Sequence, residues 1–540
     1  MIRTGARPWA RVSELVAAAA LFAFIVLPVA RLAGAALGRD PLAFLDALRR
    51  PGVLGAIGNS VWTSTASAVL ATALGTAAAL ATERTALPGR AWLRGAQLLQ
   101  LVAPPFVMAI GWTRAYGPQG LSDQALGVAL PGLYGPLGIV LLLTVAAEPL
   151  SWLLVAAALA SRPETDLERA ARVSGAGPWR AAADVSLPLL RPAILSSAVV
   201  TFVFGLNAFG VPAVLGTPAH VATITTRLYS DLAQSADPAM FTEAIVLALL
   251  LVLVAVLVVG PADAWLTGRP AVRSAHPGVD HPVWTPSRRQ RSGAAGAMLV
   301  AGLLVTLIPL VAILLTALTR AVGLPPVPAN WTLANFAQAL DQRLLDALAN
   351  SLLLGVLAAS IVVPLGALLA VLGRRPRLRP LRSAATVGFA LPGSALAVAV
   401  LIAYGDWLVD TLAIILVAYV AKFWALGQRQ VAGALDRLPP DSLRAARASG
   451  AGPLDVLRSI AAPLLRPSLL AAWLVVFLFA VHELTMSSLL YGPTSQTLAV
   501  VVINASELGD PTVTSALAVL LLGLVAVIAA PVVVLGRRSR

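Results

Sequence analysis

The sequence contains no cysteine, and aspartate, glutamate, lysine and arginine together make up only 12% of its 540 residues. Without cysteine there is no disulfide, no thiolate metal site and no cysteine nucleophile. Soluble domains carry about 25% charged residues, so this chain has too few charges to cover a water-exposed surface of its size. With 58% hydrophobic residues, the composition excludes an ordinary soluble enzyme.

Lysine is almost absent, since Lys422 is the only one. A P-loop needs G-x-x-x-x-G-K-[ST], in which the lysine contacts the phosphates, and Lys422 has no such neighbours. The four histidines (His220, His276, His281 and His482) include no pair at the i, i+4 spacing of metal ligands. We therefore expect no ATPase activity, no catalytic residue, no cofactor and no metal site in this chain.

Long hydrophobic runs are abundant. A membrane-spanning helix needs roughly 20 mostly apolar residues. Such runs lie at about 13–37, 60–82, 95–116, 137–160, 193–215, 241–262, 295–319, 351–373, 383–405, 411–430, 468–490 and 513–536. The sequence therefore predicts an all-α polytopic membrane protein with about 12 transmembrane helices. The first run is longer than a typical signal-peptide core, and we expect it to be a membrane helix.

The arginines predict the orientation, because cytoplasmic loops are enriched in basic residues. With the N-terminus in the cytoplasm, the cytoplasmic segments hold 30 of the 39 basic residues. Membrane topology and contact with anionic lipid therefore explain the net charge of +14, and we expect no nucleic-acid binding. Residues 263–293 are rich in proline, arginine and small residues, and they predict a cytoplasmic linker between two transmembrane domains, 1–262 and 294–540.

A sequence repeat relates the two halves. Residues 168–195 (ERAARVSGAGPWRAAADVSLPLLRPAIL) match residues 443–470 (LRAARASGAGPLDVLRSIAAPLLRPSLL) at an offset of 275. A weaker match relates Asn59-Ser60 to Asn350-Ser351 near the start of the second span of each half. Both long copies follow a fourth span and face the cytoplasm, so the halves are predicted to be parallel repeats about an axis along the membrane normal.

Each repeated loop is predicted to form a helix–turn–helix. In the first copy, residues 164–174 suit a short helix, and the glycines and proline of 175–178 break it. A second short helix is expected at 179–185, before Pro188 and Pro192 mark the start of the next span. A single copy would suit an ordinary connection, but two copies with the same spacing favour docking of a partner.

The repeated loops resemble the signature of binding-protein-dependent ABC importer permeases, which is Glu-Ala-Ala, three residues, Gly, and then Leu-Pro. The resemblance assigns coupling to an ATPase to Arg169, Ala170, Ala171, Gly175, Ala176, Gly177, Leu187, Pro188, Arg444, Ala445, Ala446, Gly450, Ala451, Gly452 and Pro463. Arginine replaces the glutamate in both copies, although Glu168 is adjacent to the first triplet, and Ala462 replaces the second leucine.

A narrower resemblance is to the fused two-domain permeases of ferric iron importers, although fused thiamine permeases share the layout. The stretches that carry it are FGVPAVLGTP (209–218), TTRLYS (225–230), NWTLANFAQAL (330–340) and SQTLAVVVINASELGD (495–510). The resemblance implies two tandem six-helix permease repeats in the cytoplasmic (inner) membrane, which move ferric iron. It implies two copies of a separate ATPase subunit and a periplasmic or extracellular substrate-binding protein as partners.

Two alternatives stay open at this point. The same importer class could carry thiamine or another small solute. A secondary transporter also fits twelve spans, but it needs ionisable groups within the membrane, of which there are few, and it leaves the repeated loops unexplained. Because the halves offer few of the oxygen donors that ferric iron prefers, we expect no permanent iron site in this chain.

A small set of polar residues lies within the predicted spans and forms the candidate translocation path. The set is Glu148, Asn207, Lys422, His482 and Glu483. Glu148 and Lys422 occupy nearly equivalent places in the two halves, and a pair across the interface is one interpretation. The alternative to a place on the path is a structural ion pair or a group that faces a water-filled vestibule. For His482 and Glu483 the alternatives are a structural hydrogen-bonded pair and a gate. Asn207 aligns with His482 and is expected to line the path in a related position.

Overall fold

The computed structural model describes residues 8–38, 41–160, 164–235, 237–267, 287–374, 378, 391–436, 438 and 440–538. Within these residues every regular element is a helix, apart from one isolated bridge between Thr319 and Trp331. The prediction of an all-α membrane fold is therefore confirmed.

The first half contains ten main helices. They are α1 (Arg11–Leu37), α2 (Val53–Arg84), α3 (Arg90–Val102), α4 (Pro105–Tyr116), α5 (Pro136–Ala160), α6 (Glu164–Val173), α7 (Ala182–Asn207), α8 (Gly210–Gly216), α9 (Ile224–Ala233) and α10 (Pro238–Thr267). Short helical turns at Pro41–Arg49, Leu121–Leu126 and Pro178–Ala181 connect them.

The second half repeats this order. Its helices are α11 (Arg288–Leu318), α12 (Gln342–Leu372), α13 (Gly393–Leu408), α14 (Leu412–Asp436), α15 (Pro440–Ala448), α16 (Arg458–Val481), α17 (Ser487–Leu490), α18 (Leu498–Glu507) and α19 (Pro511–Arg538). Short helices at Ala334–Ala339 and Pro453–Val456 complete it. Of the predicted linker 263–293, residues 268–286 lie outside the described part, so the domain boundaries stay a prediction.

Ten of the described helices are long and apolar enough to cross a membrane. The predicted third span of each half differs from expectation. In the first half, the predicted span 95–116 is a bent pair of helices, α3 and α4, which meet at 102° and form a broken span or a re-entrant loop. Pro104 and Pro105 lie at the bend, where the missing N–H groups interrupt the helix. In the second half, residues 383–390 lie outside the described part, and α13 has only 16 residues.

The predicted fifth spans, 193–215 and 468–490, extend too far. Helix α7 ends at Asn207 and α16 ends at Val481, and a short separate helix follows each. In α7 the Asn207 side chain donates a hydrogen bond to Val203 O at 2.8 Å. Asparagine side chains compete with the backbone in this way, and the chain becomes extended at Ala208. Both breaks lie on the face opposite the repeated loops.

The first helix of each half packs against the other half. Helix α1 contacts α13, and α11 contacts α4. Each of these first helices contains one π-helical turn, Phe22–Val26 and Leu303–Leu307. In the first turn, Ala23 O accepts a hydrogen bond from the Tyr404 hydroxyl at 2.6 Å, and in the second, Val305 O accepts one from Trp112 Nε1 at 3.0 Å. Each first helix thus packs on the opposite half, and this packing joins the two halves.

Candidate functional site

The repeated loops lie on one face of the protein, where α6 and α15 precede the two breaks. After each break the helix restarts at Pro178 or Pro453 and continues without interruption into α7 or α16. The prediction of a separate second helix at 179–185 is therefore wrong. A π turn at Ala182–Ser186 widens the helix just before Pro188, so the missing proline N–H is accommodated within a continuous helix.

The break itself is a Schellman motif, in which the residues after a helix cap its last carbonyls. Gly175 N–H bonds to Arg172 O and Ala176 N–H bonds to Ala171 O, each at 3.0 Å. In the second copy, Ala451 N–H bonds to Ala446 O at 3.0 Å. The alanines of the sequence signature therefore supply the carbonyls that the turn satisfies.

Gly175 and Gly450 have φ angles of +91° and +81°, as the sequence predicts for the break. A Cβ atom added at either glycine would have no atom of the described structure within 4 Å. The glycines are therefore needed for the left-handed backbone and not for packing inside the chain. Both turns therefore leave an exposed backbone surface.

Glu168 does not replace the missing signature glutamate. Its side chain is fully buried, accepts a hydrogen bond from the Ser186 hydroxyl, and lies 3.5 Å from Arg84 Nε. It therefore ties α6 to the start of α7 and to the end of α2. The residues at the signature position, Arg169 and Arg444, are exposed instead. Leu187 and Pro463 are also exposed, at the start of the next span of each half.

The second candidate region is the contact between the halves within the membrane. The backbone N–H of Gly393, at the start of α13, donates a hydrogen bond to Asn207 Oδ1 at 3.0 Å. Two residues earlier, Leu391 O accepts a hydrogen bond from Lys422 Nζ at 2.6 Å. One residue from each half therefore fixes the turn Leu391–Gly393.

Glu483 serves a local structural role. Its carboxylate accepts hydrogen bonds from the backbone N–H groups of Met486 at 3.0 Å and Ser487 at 3.1 Å. It thus caps the start of α17, where unsatisfied N–H groups favour an anion. His482 follows the last residue of α16, and its ring lies 5.6 Å from that of Phe479. This position corresponds to Asn207 at the end of α7.

Glu148 and Lys422 do not form the pair that one interpretation of the sequence suggested. Glu148 is buried and accepts a hydrogen bond from Gln97 Nε2 at 3.3 Å, within its own half. Lys422 also bonds within its own half, to the backbone of Leu391. The two residues are related by the repeat, but Glu148 contacts α3 and Lys422 contacts the residues before α13, each within its own half.

An apolar constriction, formed by Phe106, Gly210 and Leu484, lies where the halves meet. A Cβ atom on Gly210 would lie 2.4 Å from Phe106 Cβ and 2.8 Å from Leu484 Cδ2. Only glycine fits at this position. The sequence interpretation did not single out these three residues, although Gly210 lies in the FGVP stretch that it quoted.

The weak Asn-Ser repeat has a clear structural role. The backbone N–H of Ile224 donates to Ser60 Oγ at 2.7 Å, and that of Leu498 donates to Ser351 Oγ at 2.8 Å. Asn59 Nδ2 donates to Ala222 O at 2.9 Å. The second span of each half therefore positions the short helix, α9 or α18, that follows the broken fifth span.

The family comparison covers both halves. The model of the binding-protein-dependent transport system inner membrane component family matches residues 71–264 and 362–539. Each match contains one repeated loop, one broken fifth span and one of the short helices α9 and α18. Among the described residues, no group of three or more histidine, cysteine, aspartate or glutamate side chains is placed to hold a metal ion.

Individual relatives differ in the share of the chain that they match. A ferric transport system permease protein of Actinobacillus pleuropneumoniae is 27% identical over 482 residues, which cover 84% of this chain and 67% of that protein. A probable ABC transporter permease protein of Sinorhizobium fredii is 26% identical over 92% of this chain and 90% of its own length. A molybdenum transport system permease protein of Mycobacterium tuberculosis is 35% identical over 37% of this chain and 75% of its own length.

Proposed function

Because the chain belongs to the family of binding-protein-dependent transport system inner membrane components, we propose that it carries ferric iron, driven by ATP hydrolysis in a separate subunit. The chain is the permease subunit of an ABC importer in the cytoplasmic membrane. Its partners are an ATPase and a substrate-binding protein. We propose two ATPase copies, one for each repeated loop.

The iron assignment rests on how much of the chain the ferric relative matches. That protein matches 84% of the chain and thus both halves, whereas the molybdenum relative matches 37%. A fused pair of permease domains is thus the arrangement shared with the ferric relative. Thiamine, molybdenum and other small solutes stay as alternatives within the same importer class.

The charge on the face opposite the loops also favours a cation. The described segments there (41–52, 117–135, 208–235, 237, 319–341, 409–411 and 482–510) hold nine acidic residues and four arginines. Asp231 pairs with Arg227 and Glu483 caps α17, and the remainder is still negative. A negative surface raises the local concentration of cations and repels oxyanions such as molybdate. A ferric ion is therefore the better electrostatic match.

We propose that the repeated loops face the cytoplasm, together with the linker and both termini. The support is the number of basic residues on that side, 30 of 39. A cysteine introduced at Ser274 has no native background, because the chain has no cysteine. We expect an impermeant thiol reagent to leave it unlabelled in intact cells, and labelling from outside would contradict this topology.

The proposed mechanism couples the loops to the contact between the halves. Each loop continues as one helix into α7 or α16, and these helices end at Asn207 and Val481 beside the constriction. Movement of the loops, when two ATPase subunits close on ATP, is therefore transmitted along rigid helices. Separation of the helix ends would open the constriction toward the binding protein.

Iron uptake tests the substrate assignment. Deletion of the gene should lower uptake of radioactive ferric iron and slow growth when iron is scarce, and the wild-type chain should restore both. The Gly175→Glu variant is the matched control, because it should insert normally without coupling to the ATPase. Normal iron uptake in the deletion strain, with thiamine or molybdate failing to enter, would overturn the iron assignment and leave the importer class intact.

A further inference from the structure

Two tyrosines and one glutamate meet between the halves on the face opposite the loops. The Tyr229 hydroxyl, on α9 of the first half, donates a hydrogen bond to Glu507 Oε2 at 3.4 Å. Glu507 is the last residue of α18 in the second half. The Tyr491 hydroxyl, from the second half, also interacts with that of Tyr229, and burial, Glu507 and Tyr491 together raise the pKa of Tyr229.

The cluster has a buried side and an open side. Tyr229 is only 7% exposed, Tyr491 is half-buried, and Glu507 is exposed. The ring of Tyr229 packs on that of Phe209, with 5.0 Å between centroids. Phe209 directly precedes Gly210, which touches Phe106 and Leu484 in the apolar constriction. Tyr229 thus packs on the residue that directly precedes the apolar constriction.

Hydroxyl and carboxylate oxygens are hard donors, and hard cations prefer oxygen ligands to sulfur or imidazole. Tyrosine oxygen is also a known ligand of protein-bound iron. We propose that Tyr229, Tyr491 and Glu507 form a receiving site for Fe³⁺ in passage between the halves. The proposal rests on the proposed iron function and identifies a place where the cargo pauses before the constriction opens.

The charges of this site balance those of the cargo. Coordination of Fe³⁺ by both phenols releases two protons to water, and the two phenolates with the Glu507 carboxylate supply three negative charges. No oxidant or reductant is needed, because the iron stays ferric. The site would hold the ion without a full cage, and open positions on the Glu507 side leave room for ligands from the binding protein.

The neighbouring charged residues do not offer the same site. Arg227 Nε lies 2.7 Å from Glu243 Oε1 and 3.5 Å from Asp231 Oδ1. Arg50 Nη1 lies 3.4 Å from Glu243 Oε2. These carboxylates are therefore paired with arginines inside the first half, and they hold α9 and α10 together.

The site is present once and not twice. Thr223 and Thr497 are the N-caps of α9 and α18, so Tyr229 corresponds to Ile503 in the second half. By the same offset Glu507 corresponds to Ala233. The repeat therefore supplies no second phenol–carboxylate pair, and we expect one Fe³⁺ per chain.

Visible absorption tests the site directly, because tyrosinate–Fe³⁺ coordination produces a charge-transfer band. The purified full-length permease would be titrated with ferric nitrilotriacetate. This chelate contains no tyrosinate, so a tyrosinate band must come from the protein. We expect a band that saturates at one equivalent, with binding weakened about tenfold or more in Tyr229→Phe, Tyr491→Phe and Glu507→Gln. Tyr404→Phe is the control, since its hydroxyl bonds to Ala23 O and not to this cluster.

The possible outcomes distinguish failure of the proposed Fe³⁺ site from failure of the proposed iron transport. Each variant is first compared with wild type in thermal unfolding and gel filtration, and Glu507→Gln keeps the size of the side chain if a tyrosine variant misfolds. The site is overturned if wild type gives no band, or if the triple variant keeps it, while cells still import iron through the protein. Iron uptake that does not depend on the permease would overturn the substrate assignment, and the site with it.

Discussion

The side-chain oxygen of Asn207 accepts a hydrogen bond from the backbone N–H of Gly393, 3.0 Å away, and this bond crosses between the halves. Asn207 is the last residue of α7, which begins at a repeated loop. Gly393 is the first residue of α13 in the other half. A single polar contact thus links the end of the helix that follows the first loop to the start of α13 in the opposite half.

Loss of this bond should favour separation of the halves. In Asn207→Leu the Gly393 N–H loses its partner, which costs about 1–3 kcal/mol when the group is buried. The conformation in which the halves are in contact at Asn207 and Gly393 should become less populated, by about tenfold for each 1.4 kcal/mol of lost stabilisation. We therefore expect higher ATPase activity in the reconstituted complex without binding protein. Asn207→Asp, which keeps an oxygen acceptor, should stay closer to wild type, and equal activity in both variants would contradict this role.

The serines of the Asn-Ser repeat should stabilise the fold. Ser60→Ala or Ser351→Ala leaves the N–H of Ile224 or Leu498 without its acceptor, at a cost of about 1–3 kcal/mol each. We expect a lower Tm for the purified permease in both variants. Ser64→Ala is the matched control one turn further along α2, because Ser64 Oγ has no hydrogen-bond partner in the described structure. A loss of stability as large in Ser64→Ala would show that the two serines are not special.

Glu168 should position the first loop but not the second. Glu168→Ala leaves the buried Arg84 charge without this carboxylate, and breaking a buried pair costs about 3–5 kcal/mol. We expect weaker ATPase binding and slower transport, with membrane levels near normal. Leu443 occupies the corresponding position of the second loop, so Leu443→Ala removes no charge pair. In a double variant of Glu168 and Arg84, the loss of stability should be smaller than the sum of the two single losses. A loss equal to that sum would contradict a direct interaction.

Local sequence signals predicted the loop turns well. The left-handed backbone at Gly175 and Gly450 follows from glycine after a helix of small residues, and the structure has it in both copies. The long apolar runs also predicted most spans. These features depend on neighbours in the sequence, so a single chain is enough to identify them.

The contacts between the halves could not be predicted in this way. The exchange of α1 and α11 brings Tyr404 to Ala23, a pair separated by 381 residues. The interpretation that Glu148 and Lys422 pair across the halves was wrong for a related reason. Repeat symmetry gives the two residues equivalent positions in their own halves, and equivalent positions need not be in contact. The π turns of α1 and α11 accept hydrogen bonds from the opposite half, and periodicity alone does not indicate them.

The two loop glycines provide the most direct test of ATPase docking. Gly175→Glu and Gly450→Glu place a charged side chain on an open turn and force a non-glycine residue into the left-handed region, at about 1–2 kcal/mol each. Gly433→Ala is the control, because Gly433 lies inside α14 and outside both loops, its φ is not left-handed, and an added Cβ meets nothing within 4 Å. The spans are untouched, so all variants should reach the membrane at normal levels.

The decisive measurement is co-purification of the ATPase with the permease from membranes that contain equal amounts of each variant. We predict that wild type and Gly433→Ala retain the ATPase, that each single glutamate variant loses most of it together with transport, and that the double variant loses all of it. The two single variants need not be equally severe, because Asp184 of the first loop corresponds to Ser459 of the second. Wild-type ATPase binding and transport in the double variant would show that the loops are simple connections.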